Sequence, residues 1–275
     1  MGSTAKKIIG IAIGSAAAWA VAVKPRIWGK PDMSEIRRYD YARRGFFTRD
    51  QSIPENSLAA LQAAVDRGYG VTMDVRVTKD GIPVLFHDLQ VYRMTEKIGT
   101  IEERSLEEVK ELRLSGTEEQ IPTLKEALDL IDARVPVLVE LHVKENVEKL
   151  CDAVCEVLDR YDGVFAVQSI DPCVLRWFHS ERNEYIRGQM IDHNHTSGYG
   201  IKNIIWDILT NSLLLNFLTE PDMLVCNTST RYNPSMWLCR ILYRTPRLTW
   251  TIRTEEEYAM EKTEGAMVAF EGIEP

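Results

Sequence analysis

A disulfide framework is missing from this chain. Its five cysteines (Cys151, Cys155, Cys173, Cys226 and Cys239) are odd in number and lack Cys-x-x-Cys spacing, which excludes a stapled secreted scaffold and leaves free buried thiols as the expected state. Cys151 and Cys155 lie four apart on a predicted helix, but no further Cys or His stands nearby at zinc spacing, so they read as core. An excess of basic charge is missing too: the net charge is −8, against the basic face that broad nucleic-acid binding needs. Nor does a long insertion interrupt the pattern to supply a second domain or a cap. What remains is 275 residues of ordinary globular composition, 45% hydrophobic and 27% charged. That length suits one large core, and an α/β barrel needs roughly 250 residues.

One long apolar run is present. From Ile8 to Val23 every residue is apolar or small, with Ser15 the one polar exception, and Lys6-Lys7 and Lys24, Arg26 and Lys30 bracket the run. Its residues at about 1.5 Å each reach about 24 Å, a little short of the roughly 30 Å hydrocarbon core. Trp19 and Trp28 suit an interface, and the flanking cations can snorkel. Three readings compete: a cleaved signal peptide, since Ala18-Trp19-Ala20 mimics a cleavage site; a buried core helix, which should carry more polar residues; and a single-pass membrane anchor through residues 8–23, the reading adopted. Residues 1–36 are accordingly expected to be anchor and linker, and 37–275 the main domain. Positive-inside logic, with Lys24, Arg26, Lys30, Arg37 and Arg38 outnumbering Lys6 and Lys7, places that domain in the cytoplasm; a Lys-Lys start is equally typical of export, which would place it outside. Myristoylation is not indicated, because Lys6 stands where the Met-Gly motif wants Ser or Thr.

After Pro25 and Pro31 the chain alternates strand-like and helical runs. Strands are predicted at Tyr39–Ala42, Val71–Val77, Pro83–His87, Val137–Leu141, Val164–Gln168, Tyr185–Gln189, Met223–Cys226, Leu248–Ile252 and Met267–Phe270. Helices are predicted at Ser57–Arg67, Glu145–Tyr161, Asp171–His179 and Ile201–Leu218, with capping boxes at Ser105/Glu108 and Thr123/Glu126. Repeated strand-then-helix units with short links imply parallel strands inside a ring of helices, a (β/α)₈ TIM-type barrel in a single domain. The link Lys79-Asp80-Gly81 is too short for a parallel crossover, so the strands it joins should form a hairpin and bring Asp74 alongside His87. The apolar run Ile201–Leu218 reads as a barrel helix interrupted by Asp207, Asn211 and Asn216, rather than a membrane-facing element.

Four places carry groups suited to phosphoryl chemistry. Arg43-Arg44-Gly45 puts two guanidiniums at the end of the first strand; Asp74 and Glu140 are carboxylates inside apolar strands; His87-Asp88 ends another strand. A lone buried carboxylate is costly, so each either pairs with an arginine or builds a site; on separate strands together they favour a site.

These residues sit in motifs that resemble the glycerophosphodiester phosphodiesterase family. Ala42-Arg43-Arg44-Gly45 followed by Pro54-Glu55-Asn56-Ser57 resembles its A-H-R-G and P-E-N-S/T start. Thr72-Met73-Asp74-Val75, Thr78-Lys79-Asp80-Gly81 and Val84-Leu85-Phe86-His87-Asp88 resemble its E-x-D-V, T-K-D-G and V-x-x-H-D run. Ile121-Pro122-Thr123-Leu124, Val139-Glu140-Leu141-His142, Val167-Gln168-Ser169 and Trp250-Thr251-Ile252-Arg253 follow in order. The resemblance implies a (β/α)₈ barrel cleaving a glycerophosphodiester, or a phospholipid head group, to glycerol phosphate and an alcohol. It implies a divalent cation, Mg²⁺ or Ca²⁺, at Asp74, Glu140 and Thr72, catalysis by His87, Arg44 and Arg43, and substrate contacts from Arg43, Arg44, Glu55, His142 and Trp250. Three positions depart from the pattern: Arg43 replaces the first catalytic histidine, Thr72 a metal-binding glutamate, and His142 a lysine. Arginine keeps its proton at neutral pH, and threonine offers no charge to a cation. His142, or His193 and His195 in the loop after the sixth strand, are the remaining candidates for a base. The alternative to a hydrolase is a non-catalytic phosphodiester or lipid head-group binder at the membrane, or a barrel serving only as a scaffold.

Overall fold

Side chains alternate across a strand, and the stretch after Gly70 alternates in chemistry too: Val71, Met73, Val75 and Val77 against Thr72, Asp74 and Arg76. In a barrel wrapped by helices the first set must face the helices and the second the barrel interior. The computed structural model, which describes residues 14–192, 201–230 and 232–275, has this arrangement, with the apolar set in the outer core layer. Its strands are β1 (Tyr41–Arg43), β2 (Gly70–Val77), β3 (Pro83–Leu85), β4 (Val137–Leu141), β5 (Phe165–Ser169), β6 (Ile186–Ile191), β7 (Met223–Asn227), β8 (Arg247–Ile252) and β9 (Met267–Phe270). All but β3 are parallel, and β1 closes the barrel by pairing with both β2 and β9. β3 stands outside the ring as the antiparallel hairpin partner of β2, Val75 opposite Leu85, as the short Lys79-Asp80-Gly81 link requires.

The interior is layered. Leu138, Ala166, Ile186, Met223, Leu248 and Met267 fill the end where the strands begin. Polar residues replace them towards the strands' C-terminal ends. Helices α1 (residues 14–22) and α2 (Ser34–Arg38) precede β1; α3 (Leu58–Asp66), α4 (Tyr92–Thr95), α5 (Leu106–Lys110) and α6 (Leu124–Ile131) lie between β1 and β4. Then come α7 (Val147–Leu158), α8 (Pro172–Glu181), α9 (Ile201–Asn211), α10 (Asn216–Thr219), α11 (Pro234–Tyr243) and α12 (Glu255–Thr263). Ser57 caps α3 by accepting from the Ala60 amide, and both expected capping boxes are present.

Two expectations need correction. The single helix read over Ile201–Leu218 is two, α9 and α10, parted by a turn in which Leu213 takes φ 57°. None of α9's residues is buried, so it is not an ordinary barrel helix. The segment read as anchor and linker, residues 1–36, is in part packed against the barrel, beginning with the end of the expected anchor. Val23 is fully buried, and Arg26 is buried with its Nε 3.3 Å from Asp222 Oδ1. Upstream, the Trp19 indole donates to Ser235 Oγ at 3.1 Å and the Tyr243 hydroxyl to the Ala20 carbonyl at 2.8 Å, which ties α1 to α11. Residues 8–13 of the expected anchor, and His193 and His195, lie outside the described residues. Among the described residues no helix is long and apolar enough to cross a membrane.

Candidate active site

Parallel barrel strands end on one side, so inward side chains near their C-termini share a mouth. Arg43, last in β1, is in register with Thr72 of β2, and Asp74 with Glu140 of β4; all four are buried. Two neighbouring carboxylates in an interior carry a large desolvation cost, which nearby cations must offset. Arg44 supplies one, with Nε 2.9 Å from Asp74 Oδ2 and Nη1 2.8 Å from Glu55 Oε1. It reaches them because the backbone turns sharply after β1, at φ 61°, with the Arg44 amide on the Thr72 carbonyl at 2.9 Å. Asn56, also at positive φ, donates Nδ2 to Asp74 Oδ2 at 2.9 Å. His142 Nε2 lies 2.8 Å from Asp74 Oδ1 and 3.4 Å from Glu140 Oε1. Burial alone would raise the Asp74 pKa, but Arg44, His87 and His142 outweigh it and hold the carboxyl well below the usual range.

Arg43 points across the mouth. Its Nη1 donates to Glu271 Oε1 at 2.7 Å, and its guanidinium carbon sits 4.8 Å from the centre of the Trp250 ring. Burial opposes its charge, yet Glu140, Asp74 and Glu271 raise its pKa above the ordinary value, so Arg43 is a fixed cation. His87 follows β3. Arg76 clamps its carbonyl with two N–H groups at 3.0 and 2.8 Å, and Asp88 Oδ1 lies 2.7 Å from its Nδ1, leaving Nε2 for the mouth. Burial works against the Asp88 charge, but bonds from His87 and Arg93 hold its pKa below the usual range. Arg93 also reaches Glu55 at 2.6 Å, so Arg44, Glu55, Arg93, Asp88 and His87 form one connected chain.

A cavity of about 1070 Å³ opens here, lined among others by Arg43, Arg44, His87, Glu140, His142 and Trp250. The Trp250 indole N–H has no hydrogen-bond partner among the described residues. Asp74, Thr72 and Glu55 lie behind that lining. Thr72 Oγ1 accepts from the Arg44 amide at 3.3 Å, and Glu55 holds Arg44 and Arg93 rather than facing the cavity. Sequence reasoning missed Glu271 and Arg93. Glu271 had a usable signal, as the first residue beyond β9 at the end where barrel sites lie; Arg93, on the short α4, had none. Asp74, His87 and His142 each offer a ligand atom within 4.8 Å of the others, with Glu140 beside them, so the donors fit a divalent cation.

Comparison with known proteins agrees with this geometry. Residues 44–194 match the model of the glycerophosphoryl diester phosphodiesterase family. A glycerophosphodiester phosphodiesterase of Caldanaerobacter subterraneus is 35% identical over 122 residues, covering 38% of this chain and 49% of that protein. Mouse glycerophosphodiester phosphodiesterase 1 is 42% identical over 84 residues, 27% of this chain and 25% of its own length. The chain thus spans half or less of these curated relatives. Among solved structures, an Oleispira antarctica phosphodiesterase in complex with its product sn-glycerol-3-phosphate superposes with TM-score 0.67 at 26% identity, over 85% of this chain and 92% of that one. A Thermotoga maritima glycerophosphodiester phosphodiesterase, at 21% identity and TM-score 0.63 over 85% of this chain and 93% of its own, shares the fold. With over half its length matched in motif order on the same barrel, the chain belongs to the glycerophosphoryl diester phosphodiesterase family.

Proposed function

We propose that this protein hydrolyses glycerophosphodiesters derived from membrane lipids, releasing glycerol phosphate and an alcohol. One observation carries the reading: Arg43, Arg44, His87, Glu140 and His142, from separate strands and loops, line a single cavity over the buried carboxylate of Asp74. The diester anion accepts hydrogen bonds from the two guanidiniums, which fixes phosphorus beside His87. Water attacks phosphorus and gives up a proton to solvent, the bond to the alcohol oxygen breaks, and protonated His87 delivers a proton from Nε2 to that oxygen; Asp88 on Nδ1 steadies the ring through the transfer. A divalent cation held at Asp74, Glu140 and His142 would draw charge from the phosphoryl oxygens. Because Arg43 stays protonated, the attacking water has no imidazole base on that side, and turnover is expected to be ~10²–10⁴-fold below that of a two-imidazole site.

That fixed cation also favours a second reading, a binder that holds the diester without cleaving it. A lipid surface as the source of substrate is supported by α9. Its Trp206, Asp207, Thr210 and Asn211 line the cavity, whereas Ile201, Ile204, Ile205 and Ile208 are each more than half exposed. A rim helix with its polar side inward and apolar side outward suits an acyl-chain boundary.

The test is to incubate the full chain with glycerophosphocholine, with and without added divalent cation, and assay glycerol phosphate. Cation-dependent release, cut ~10²–10⁴-fold in His87→Ala, is the expected result. Release that ignores His87→Ala would defeat the mechanism, and binding without release would leave the second reading.

A further inference from the structure

The cation site differs in donor chemistry from one built for a hard ion, and this inference rests on the reading of the cavity as a phosphodiester site. We propose that Asp74, Glu140 and His142 bind a borderline transition cation, of the zinc class, in preference to the hard cations Mg²⁺, Ca²⁺ and Mn²⁺, with His142 as the selecting ligand.

The strand register is the starting point. Asp74 and Glu140 are direct neighbours across β2 and β4. His142 lies two residues beyond Glu140, and its amide bonds the Val75 carbonyl at 3.0 Å, extending the parallel ladder by one step. Its ring therefore rises on the same inward face as the two carboxylates. The Nε2 atom sits 2.8 Å from Asp74 Oδ1 and 3.4 Å from Glu140 Oε1. Ligands around a small cation at bond lengths of about 2.0–2.2 Å are themselves about 3 Å apart, so these atoms already hold coordination spacing.

The second oxygen of Asp74 is committed elsewhere. Oδ2 accepts from Asn56 Nδ2 at 2.9 Å and is ion-paired with the Arg44 guanidinium, Nε 2.9 Å away, which leaves Oδ1 beside His142. Outer contacts of this kind orient a metal ligand. Behind them, Gln168 is the register partner of Glu140 on β5; it is buried, and its Oε1 has no hydrogen-bond partner among the described residues. It is a neutral oxygen in the same layer. Thr72 adds no charge, and its hydroxyl serves the Arg44 amide.

The set is therefore two carboxylates and an imidazole. Ca²⁺ wants six to eight oxygens and Mg²⁺ a near-ideal octahedron of them, whereas imidazole suits Zn²⁺ and its neighbours in the transition series. A ring nitrogen of His87 lies within 4.8 Å of Asp74 and His142. With its Nδ1 held by Asp88, His87 stands beside the cation as the proton carrier rather than as the ligand that sets selectivity.

Binding, not turnover, tests this. The full-length chain is titrated calorimetrically with Zn²⁺, Mn²⁺, Mg²⁺ and Ca²⁺, and Co²⁺ is added as a spectroscopic probe of nitrogen ligation. One Zn²⁺ per chain should bind at least ~10-fold more tightly than Mn²⁺, Mg²⁺ or Ca²⁺. His142→Gln and His142→Lys should both erase the preference and alter the Co²⁺ spectrum, while His87→Ala keeps the preference. Circular dichroism checks that each variant is folded, and two His142 variants guard against one misfolding. Equal affinities, tighter Mg²⁺ or Ca²⁺, or selectivity that follows His87 instead of His142 would overturn the proposal. Mg²⁺-dependent cleavage without a Zn²⁺ preference counts against this inference alone; that preference without cleavage counts against the hydrolytic function alone.

Discussion

Arg43 and Thr72 are partners in the β1–β2 ladder, and both depart from the family pattern in the same electrostatic direction. An arginine for a histidine adds a permanent positive charge; a threonine for a glutamate removes a negative one. Together they make the β1–β2 side of the mouth more receptive to an anion and less to a cation, and the carboxylate charge that remains is gathered at Asp74 and Glu140 beside His142. Glu271 balances the added guanidinium. Burial works against its charge, but Arg43, Arg44 and Arg253 hold its pKa below the ordinary 4.5. A carboxylate depressed in the folded state contributes stability that is fully present above its unfolded pKa and is lost as pH falls through the folded value. Glu271→Gln should therefore cost about 1–3 kcal/mol near neutral pH, with the gap from the parent closing as denaturation is repeated below about pH 4. A gap of constant size would show that the Glu271 charge does not act this way. Much of the site was legible at this scale, because Asp74 and Glu140 are carboxylates inside apolar strands. Arg93 was not, since an exposed-looking arginine on a four-residue helix carries no pattern until the chain folds back on Glu55. Ser57 caps α3, which leaves the neighbouring Asn56 side chain for Asp74.

At the scale of elements, the most legible segments were those whose own sequence dictates their burial. Val137–Leu141 and Met267–Phe270 are continuous apolar runs apart from one site residue, and their boundaries match. The hairpin of β2 and β3 was legible because chain geometry alone forbids a parallel crossover of three residues. The α9–α10 break was not. The run is rich in Leu and Ile throughout, so hydrophobicity reads it as one helix, while the interruption depends on a left-handed Leu213 between α9 and α10. The outward apolar face of α9 has a measurable consequence: the protein should co-sediment with phosphatidylcholine vesicles, and Ile204→Glu with Ile208→Glu should reduce the bound fraction without changing thermal stability by more than ~0.5 kcal/mol. Vesicle binding untouched by both substitutions would remove α9 from the lipid contact.

For the molecule as a whole, the arrangement follows from one property of parallel barrels: apolar layers fill the end where strands begin, and polar groups collect where they end. Fold class was legible because that alternation of strand and helix is written locally. The packing of α1 and Arg26 against the barrel was not, because the Arg26–Asp222 pair joins residues distant in the chain and reads, in sequence, as two ordinary surface charges. On the proposed reading the cavity holds one phosphate between Arg43, Arg44 and buried Asp74 with its partner His142. Calorimetric titration of the full chain with sn-glycerol-3-phosphate addresses it most directly. One site per chain is the predicted result, weakened ~10–100-fold in Arg43→Ala as a charge-assisted hydrogen bond is lost; no saturable binding, or binding indifferent to Arg43→Ala, would contradict it.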